Sequence, residues 1–163
     1  MNKNIYLFGS INDDLAYNII KELIETNKNE YKNINLYINS GGGSIVNAFA
    51  ICSVINNIEI NVTTICLGRA ASAAAIVMLS GNKRKMYNNS FIMIHNLSVD
   101  SSGLLSSIHN DYLHMLDLKN TMINIIINNS TCNKEFVEEQ IINDWWINCN
   151  KALDLNMIDE IIN

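Results

Sequence analysis

Proline is missing from the chain of 163 residues, and cationic residues are scarce: 11 Lys and Arg stand against 16 Asp and Glu, for a net charge of −5. Nucleic-acid backbones and anionic membrane surfaces both need clustered Lys and Arg, so neither fits as the main partner. The one dense basic run, Lys83-Arg84-Lys85, reads as a solvated turn. The missing proline goes with an abundance of Asn, Ile and Lys, and we read it as coding bias without a mechanism.

Cysteine is also thin. Cys52, Cys66, Cys132 and Cys149 lie far apart, with no CxxC pair and no His at ligand spacing, so neither a zinc site nor a small disulfide scaffold is suggested. They read as reduced thiols, and neither metal nor cofactor is expected. The chain has no basic-plus-apolar leader and no apolar run of about 18 residues, so a cytoplasmic location is expected. With 48% apolar residues and no low-complexity linker, residues 1–163 are expected to form a single domain.

The apolar pattern alternates between strand and helix. Asn4 to Phe8 reads as a strand ended by Gly9-Ser10, after which Asn12 can cap an amphipathic helix carrying Asp13 and Asp14 in its first turn. A polar stretch, Asn27 to Asn33, leads to the strand Ile34 to Ile38. Strand, helix, strand in this order implies a parallel pair and an α/β class. Asn39-Ser40-Gly41-Gly42-Gly43-Ser44 then opens a helix from Ile45 to Asn57. The three glycines let a backbone or ligand approach closely, but neither GxGxxG nor GK[ST] is present, so the segment reads as a flexible connector before it reads as a nucleotide loop.

A third strand, Val62 to Leu67, meets Gly68 as a tight turn, and a small-residue helix follows that Gly81 closes as its C′ residue. Ser72 lies in the first turn of that helix. It is either an N-cap or a nucleophile whose oxyanion the free N–H groups would hold. Met86-Tyr87 and Phe91 to His95 give two more strand pieces, and His95 stands at a carboxyl end, the edge where ligands bind in open parallel sheets. Leu97 to Gly103 is a polar segment able to move. From Leu104 to Asn129 the pattern is helical and widely apolar, longer than a domain of this size needs, so part of it is expected to pack on another subunit. His109 and His114 within it read as structural. Asn133 and Asn148 can cap two later helices, and Met157 to Ile162 closes the chain. Asp144, beside Trp145 and Trp146, is either an exposed turn carboxylate or a partly buried acid that needs a partner.

Ser72, His95 and Asp144 together supply a nucleophile, a base and an orienting carboxylate. The GxSxG elbow of α/β-hydrolases is absent, which lowers that fold as an alternative.

Tyr37-Ile38-Asn39-Ser40-Gly41-Gly42-Gly43, Gly68-Arg69-Ala70-Ala71-Ser72, Asn89-Ser90 through Met93-Ile94-His95, and Asp144 through Ala152 to Met157-Ile158-Asp159-Glu160 resemble the motif series of the Clp protease proteolytic subunits. The resemblance is collinear over nearly the whole chain. It implies a crotonase/ClpP-like spiral of ββα units with a long handle helix, the handle region falling at about residues 97–130. It also implies a serine endopeptidase with catalytic Ser72, His95 and Asp144, oxyanion N–H groups on Gly43 and Ala73, and peptide or unfolded-protein substrates. Homo-oligomeric rings, by analogy heptamers that stack in pairs, go with it.

Departures shape the expectations. The family usually has Pro at Gly41, Met at Ala73, Gln-Pro at Asn96-Leu97 and Arg at Asn143. Asn35 replaces an aromatic that often lines the docking pocket for a Clp-type ATPase, and the chain starts close to its first strand as an N-terminally short variant. Both place peptide hydrolysis ahead of ATPase partnering. A crotonase-fold acyl-CoA enzyme and a non-catalytic subunit of a mixed ring are the rival readings.

Overall fold

The computed structural model describes residues 1–26, 31–98 and 102–163. The polar stretches Asn27 to Asn33 and Leu97 to Gly103 fall partly outside them. Seven strands and six helices follow one another among the described residues: β1 (Asn2–Ile11), α1 (Asp13–Thr26), β2 (Asn33–Gly43), α2 (Ile45–Asn57), β3 (Asn61–Ala71), α3 (Ala73–Leu79), β4 (Lys83–Tyr87), β5 (Phe91–Ile94), α4 (Leu105–Asn128), α5 (Lys134–Gln140), β6 (Trp145–Asn148), α6 (Cys149–Asp154) and β7 (Glu160–Ile162).

The sheet runs β1-β2-β3-β4-β7, parallel at every step. β3 is the hinge of the architecture. Its first half, Thr63 to Cys66, pairs with β4, and its last residues, Arg69 to Ala71, pair with β5, which in turn carries β6 antiparallel. One strand thus feeds two diverging ladders, and the site forms where they part. The parallel sheet and the long helix agree with the α/β class expected from the sequence.

The helix caps follow the side-chain chemistry. Leu15 N–H donates to Asn12 Oδ1 (2.9 Å), Phe136 N–H to Asn133 Oδ1 (2.9 Å) and Lys151 N–H to Asn148 Oδ1 (2.9 Å). Each pairing satisfies a donor that a helix start leaves orphaned, worth about 1 kcal/mol. The core lies between the sheet and α1 to α3: Ile5, Leu7, Leu36, Ile38, Ile51 and Met78 are fully buried, each stabilising by about 1.5–3 kcal/mol.

Several local expectations are corrected. Gly9-Ser10 does not end β1: the strand runs on to Ile11 through a register shift between Phe8 and Ser10, with Gly9 at φ 82°. The glycine segment is no loose connector, because Gly42 and Gly43 pair with Ser10 and Ile11. Gly68 is no turn. It lies inside β3, where a Cβ would come within 2.9 Å of Asn39 Oδ1, so its small size serves a close approach. Gly81 does follow the cap Ser80 as the C′ residue of α3, but without a positive φ. A Cβ on Gly81 would run into the Thr64 side chain, whose hydroxyl donates to Met78 O (2.7 Å). The basic run is a strand, not a turn, because Lys83 and Lys85 meet Glu160 (2.9 and 2.8 Å) and Arg84 meets Asp159 (3.0 Å) on the neighbouring segment.

α4, with 24 residues, is about 36 Å long. Only Met122, Ile123 and Ile126, near its carboxyl end, are buried. Its amino-terminal part, residues 105–114, is exposed throughout, with Leu105 at 83% and Tyr112 at 59%. His109 and His114 lie on that exposed part and take no part in the core.

Candidate active site

Ser72 stands alone between β3 and α3 with φ 55° and ψ −125°. Non-glycine residues seldom occupy positive φ, at a cost of about 1–3 kcal/mol that the surroundings must offset. Two hydrogen bonds hold it there: Ser72 N–H donates to Met93 O (2.7 Å), and Ala75 N–H donates to Ser72 O (2.9 Å). The first prolongs the β3–β5 ladder, in which Ala71 pairs with Met93. This register sets the end of β5 beside the serine. His95, the next residue after β5, reaches Ser72 Oγ with Nε2 at 2.8 Å. Ser72 holds the N-cap position of α3, but its side chain caps no N–H of the helix.

The small residues after Ser72 have a packing reason. All seven residues of α3 are buried, and Ala73, Ala74 and Ala75 let the helix start directly under the sheet. Ala73 is the first helical residue, so its N–H has no acceptor inside the helix. The glycine segment closes the other side. Gly42 (φ +93°) runs so near the turn that a Cβ there would lie 2.6 Å from Ala71 O, 2.8 Å from Ser72 Cβ and 3.0 Å from Ala73 N. At Gly43 (φ +145°) a Cβ would meet Ile11 O at 2.5 Å. Both positions therefore require glycine.

Gly43, Ser72, Ala73 and His95 line one cavity of about 340 Å³. Its apolar walls come from Ile45 and Val46 of α2, from Leu97, and from Met115, Leu118 and Met122 of α4. The α4 wall was not read from the sequence, where Met115 and Met122 look like ordinary positions of an apolar helix. A methionine-rich wall accommodates varied apolar side chains.

Asp144 is placed elsewhere. It is exposed at the start of β6 and lines a separate cleft with Glu139, Gln140 and Trp146. Among the described residues no hydrogen bond joins it to His95. The β5–β6 ladder ends on the pair Ile94 with Trp145, so His95 follows β5 and Asp144 precedes β6 at the same end of the ladder. The structure thus brings together Ser72, His95, Gly43 and Ala73, with Asp144 at the adjoining end of the β5–β6 ladder but unjoined.

The buried thiols stay out of the chemistry. Burial pushes Cys52 and Cys66 up to about 11, so at neutral pH neither forms the thiolate that would act as a nucleophile.

A serine hydroxyl on a strained strand-to-helix turn, against an imidazole and beneath a glycine segment, defines a serine hydrolase on a parallel α/β scaffold. Comparison with known proteins narrows the class. The family model described as Clp protease matches residues 1–163, and the chain belongs to that family, whose proteolytic subunits are serine endopeptidases. Among curated relatives, the "ATP-dependent Clp protease proteolytic subunit" of Borrelia garinii subsp. bavariensis is 36% identical over 97% of this chain and 83% of its own length. Proteins with the same name from Borreliella afzelii and Carsonella ruddii are 35% and 31% identical, each over 97% of this chain and 82% of its own length.

Proposed function

We propose that the protein cleaves peptides or unfolded proteins with Ser72 as nucleophile, His95 as base and Asp144 as the orienting acid. The 2.8 Å contact between Ser72 Oγ and His95 Nε2 carries the reading. With its proton on Nδ1, His95 accepts the Ser72 proton at Nε2 as Oγ attacks the scissile carbonyl carbon. The negative charge that builds on the carbonyl oxygen falls to the main-chain N–H groups of Gly43 and Ala73. His95 then passes the proton to the leaving amine, and water enters by the same base to release the acyl group.

Asp144 would complete the set by turning its side chain toward His95 from the same end of the β5–β6 ladder. Its carboxylate then accepts from Nδ1–H, fixing the tautomer and stabilising the imidazolium.

The bare amino-terminal half of α4 supports assembly. A row of Leu104, Leu105, Tyr112, Leu113 and Leu116 in water is costly, and homo-oligomeric rings, by analogy heptamers able to stack, would cover it and enclose the sites. We place this single domain of residues 1–163 in the cytoplasm; no helix among the described residues is long and apolar enough to cross a membrane. Partnering with a Clp-type ATPase ranks behind peptide hydrolysis in this reading. The relatives carry "ATP-dependent" in their names, whereas Asn35 here spends its side chain donating to Asn4 Oδ1 (3.1 Å) on β1.

Fluorogenic-peptide hydrolysis tests the reading. Ser72→Ala should lower turnover on the order of 10³-fold or more while the protein remains folded. Near-normal turnover by the variant would overturn it.

A further inference from the structure

We propose that Arg69 is a specificity residue of the Ser72 site, holding a carboxylate of the bound peptide within about two residues of the scissile bond. The inference rests on the peptidase reading above and adds a substrate preference to it.

The chain has two arginines, and they live differently. Arg84 is spent on structure: its guanidinium donates to Asp159 Oδ1 (3.0 Å) and to Asn129 O (2.6 Å). Arg69 is exposed on β3, and among the described residues no carboxylate lies within ion-pairing distance of it. Its backbone is fixed, for Arg69 N–H donates to Asn39 Oδ1 (3.3 Å). Its guanidinium lies over Gly41, one nitrogen 3.3 Å and the central carbon 3.6 Å from where a Cβ on residue 41 would stand. A side chain at that position would press on the guanidinium. Gly41 and Arg69 thus fit as a pair, the missing side chain making room for the cation.

That cation looks into a cleft of about 400 Å³ bordered by Gly9, Ser10, Asn39, Gly41 and Gly43, with no acidic residue in its lining. Gly43 belongs also to the cavity that holds Ser72 and His95. Gly41 lies two residues from Gly43, at most about 7 Å along extended chain. A peptide whose scissile carbonyl points at the Gly43 N–H therefore carries its next residue or two past Arg69. Arginine's planar fork matches a carboxylate through two parallel hydrogen bonds. The carboxylate comes from one of two places, an Asp or Glu side chain or the peptide's own carboxyl terminus, and the two call for different peptides.

The test uses four fluorogenic peptides with Glu or Gln two positions from the cleaved bond, each with a free or an amidated carboxyl terminus. In the full-length protein kcat/KM should favour the carboxylate-bearing member of one pair by about fivefold, the worth of one partly solvated charge pair. The Glu/Gln pair reports a side-chain carboxylate and the free/amide pair a terminal one. Arg69→Gln should bring that ratio close to one, and Arg69→Lys should keep part of it. Reading a ratio within each protein cancels any general loss of activity. The same ratio read as binding to the Ser72→Ala protein, by fluorescence anisotropy, needs no turnover. Absence of hydrolysis therefore counts against the peptidase reading, and a ratio that is absent, or equal in the native protein and Arg69→Gln, overturns the role of Arg69.

Discussion

Replacing Gly42 by Ala adds one methyl group at the most crowded point of the site, and its cost can be worked from the geometry. At φ +93° an L residue is strained by about 1–3 kcal/mol. The new Cβ would stand 2.6 Å from Ala71 O and 2.8 Å from Ser72 Cβ, against an ordinary contact of about 3.5 Å. Relief needs a shift approaching about 1 Å, and the atoms that must move are backbone on either side of the nucleophile. Overpacking of this kind costs about 1–3 kcal/mol more. The total, about 2–6 kcal/mol, should lower Tm by about 4–24 °C in a chain of this size. A displacement near 1 Å at reacting atoms costs about 10²-fold in rate, so kcat on a fluorogenic peptide should fall by that order at a temperature where the variant is folded. Gly81→Ala is the matched control. It also creates a steric conflict, with the Thr64 side chain and with Lys83 O, but at the far end of α3, and it should lower Tm while sparing kcat. A Gly42→Ala protein with native kcat would refute the claim that this glycine sets the nucleophile's position.

Further outcomes are expected. His95→Ala should cost about as much activity as Ser72→Ala, because such residues act as a unit, and Asp144→Asn should lower kcat by about 10²–10⁴-fold with a smaller change in KM; steady-state kinetics read both, and an Asp144→Asn protein of native kcat would remove that residue from the mechanism. Burial pushes the Asp159 carboxyl up, but hydrogen bonds from the Arg84 side chain and main chain outweigh it and hold it below its ordinary value, while Lys85 and Lys83 hold Glu160 at about 2. Depressed carboxylates give stability that is present above their ordinary values and lost as pH falls through the folded ones, so Tm should drop between the ordinary 4.5 of Glu160 and about 2, and less so in an Asp159→Asn, Glu160→Gln protein; parallel melting curves for the two would contradict this. Sedimentation should show particles many times the 18.4 kDa chain, with Leu105→Glu plus Leu113→Glu shifting them toward smaller species; a native protein that is monomeric at micromolar concentration would refute assembly through α4.

What could be read from the sequence was local. The Asn caps at residues 12, 133 and 148 and the helix Ile45–Asn57 show in the residue pattern because their partners lie three or four positions away. The misread pieces depend on distant partners. Lys83 to Lys85 is a strand because Asp159 and Glu160 lie alongside it, about 75 residues on in sequence, and the glycine segment is ordered by β1. Gly68 reads as a turn from its neighbours, yet it lies inside β3 and serves the close approach of the Asn39 side chain. At the site, Ser72, His95, Gly43 and Ala73 were named in advance and share one cavity. The α4 wall and the berth of Arg69 over Gly41 escaped, since nothing in the spacing relates residue 41 to residue 69 or β5 to α4.

The proposed chemistry turns on the Ser72 hydroxyl, and covalent labelling tests that most directly. A fluorophosphonate probe attacked by Ser72 Oγ should leave one adduct, found by mass spectrometry of the digested protein on the peptide that contains Ser72, and the adduct should vanish in His95→Ala, where the base is gone. An adduct on any other residue, or labelling that persists in Ser72→Ala, would contradict the assignment of the nucleophile and with it the mechanism.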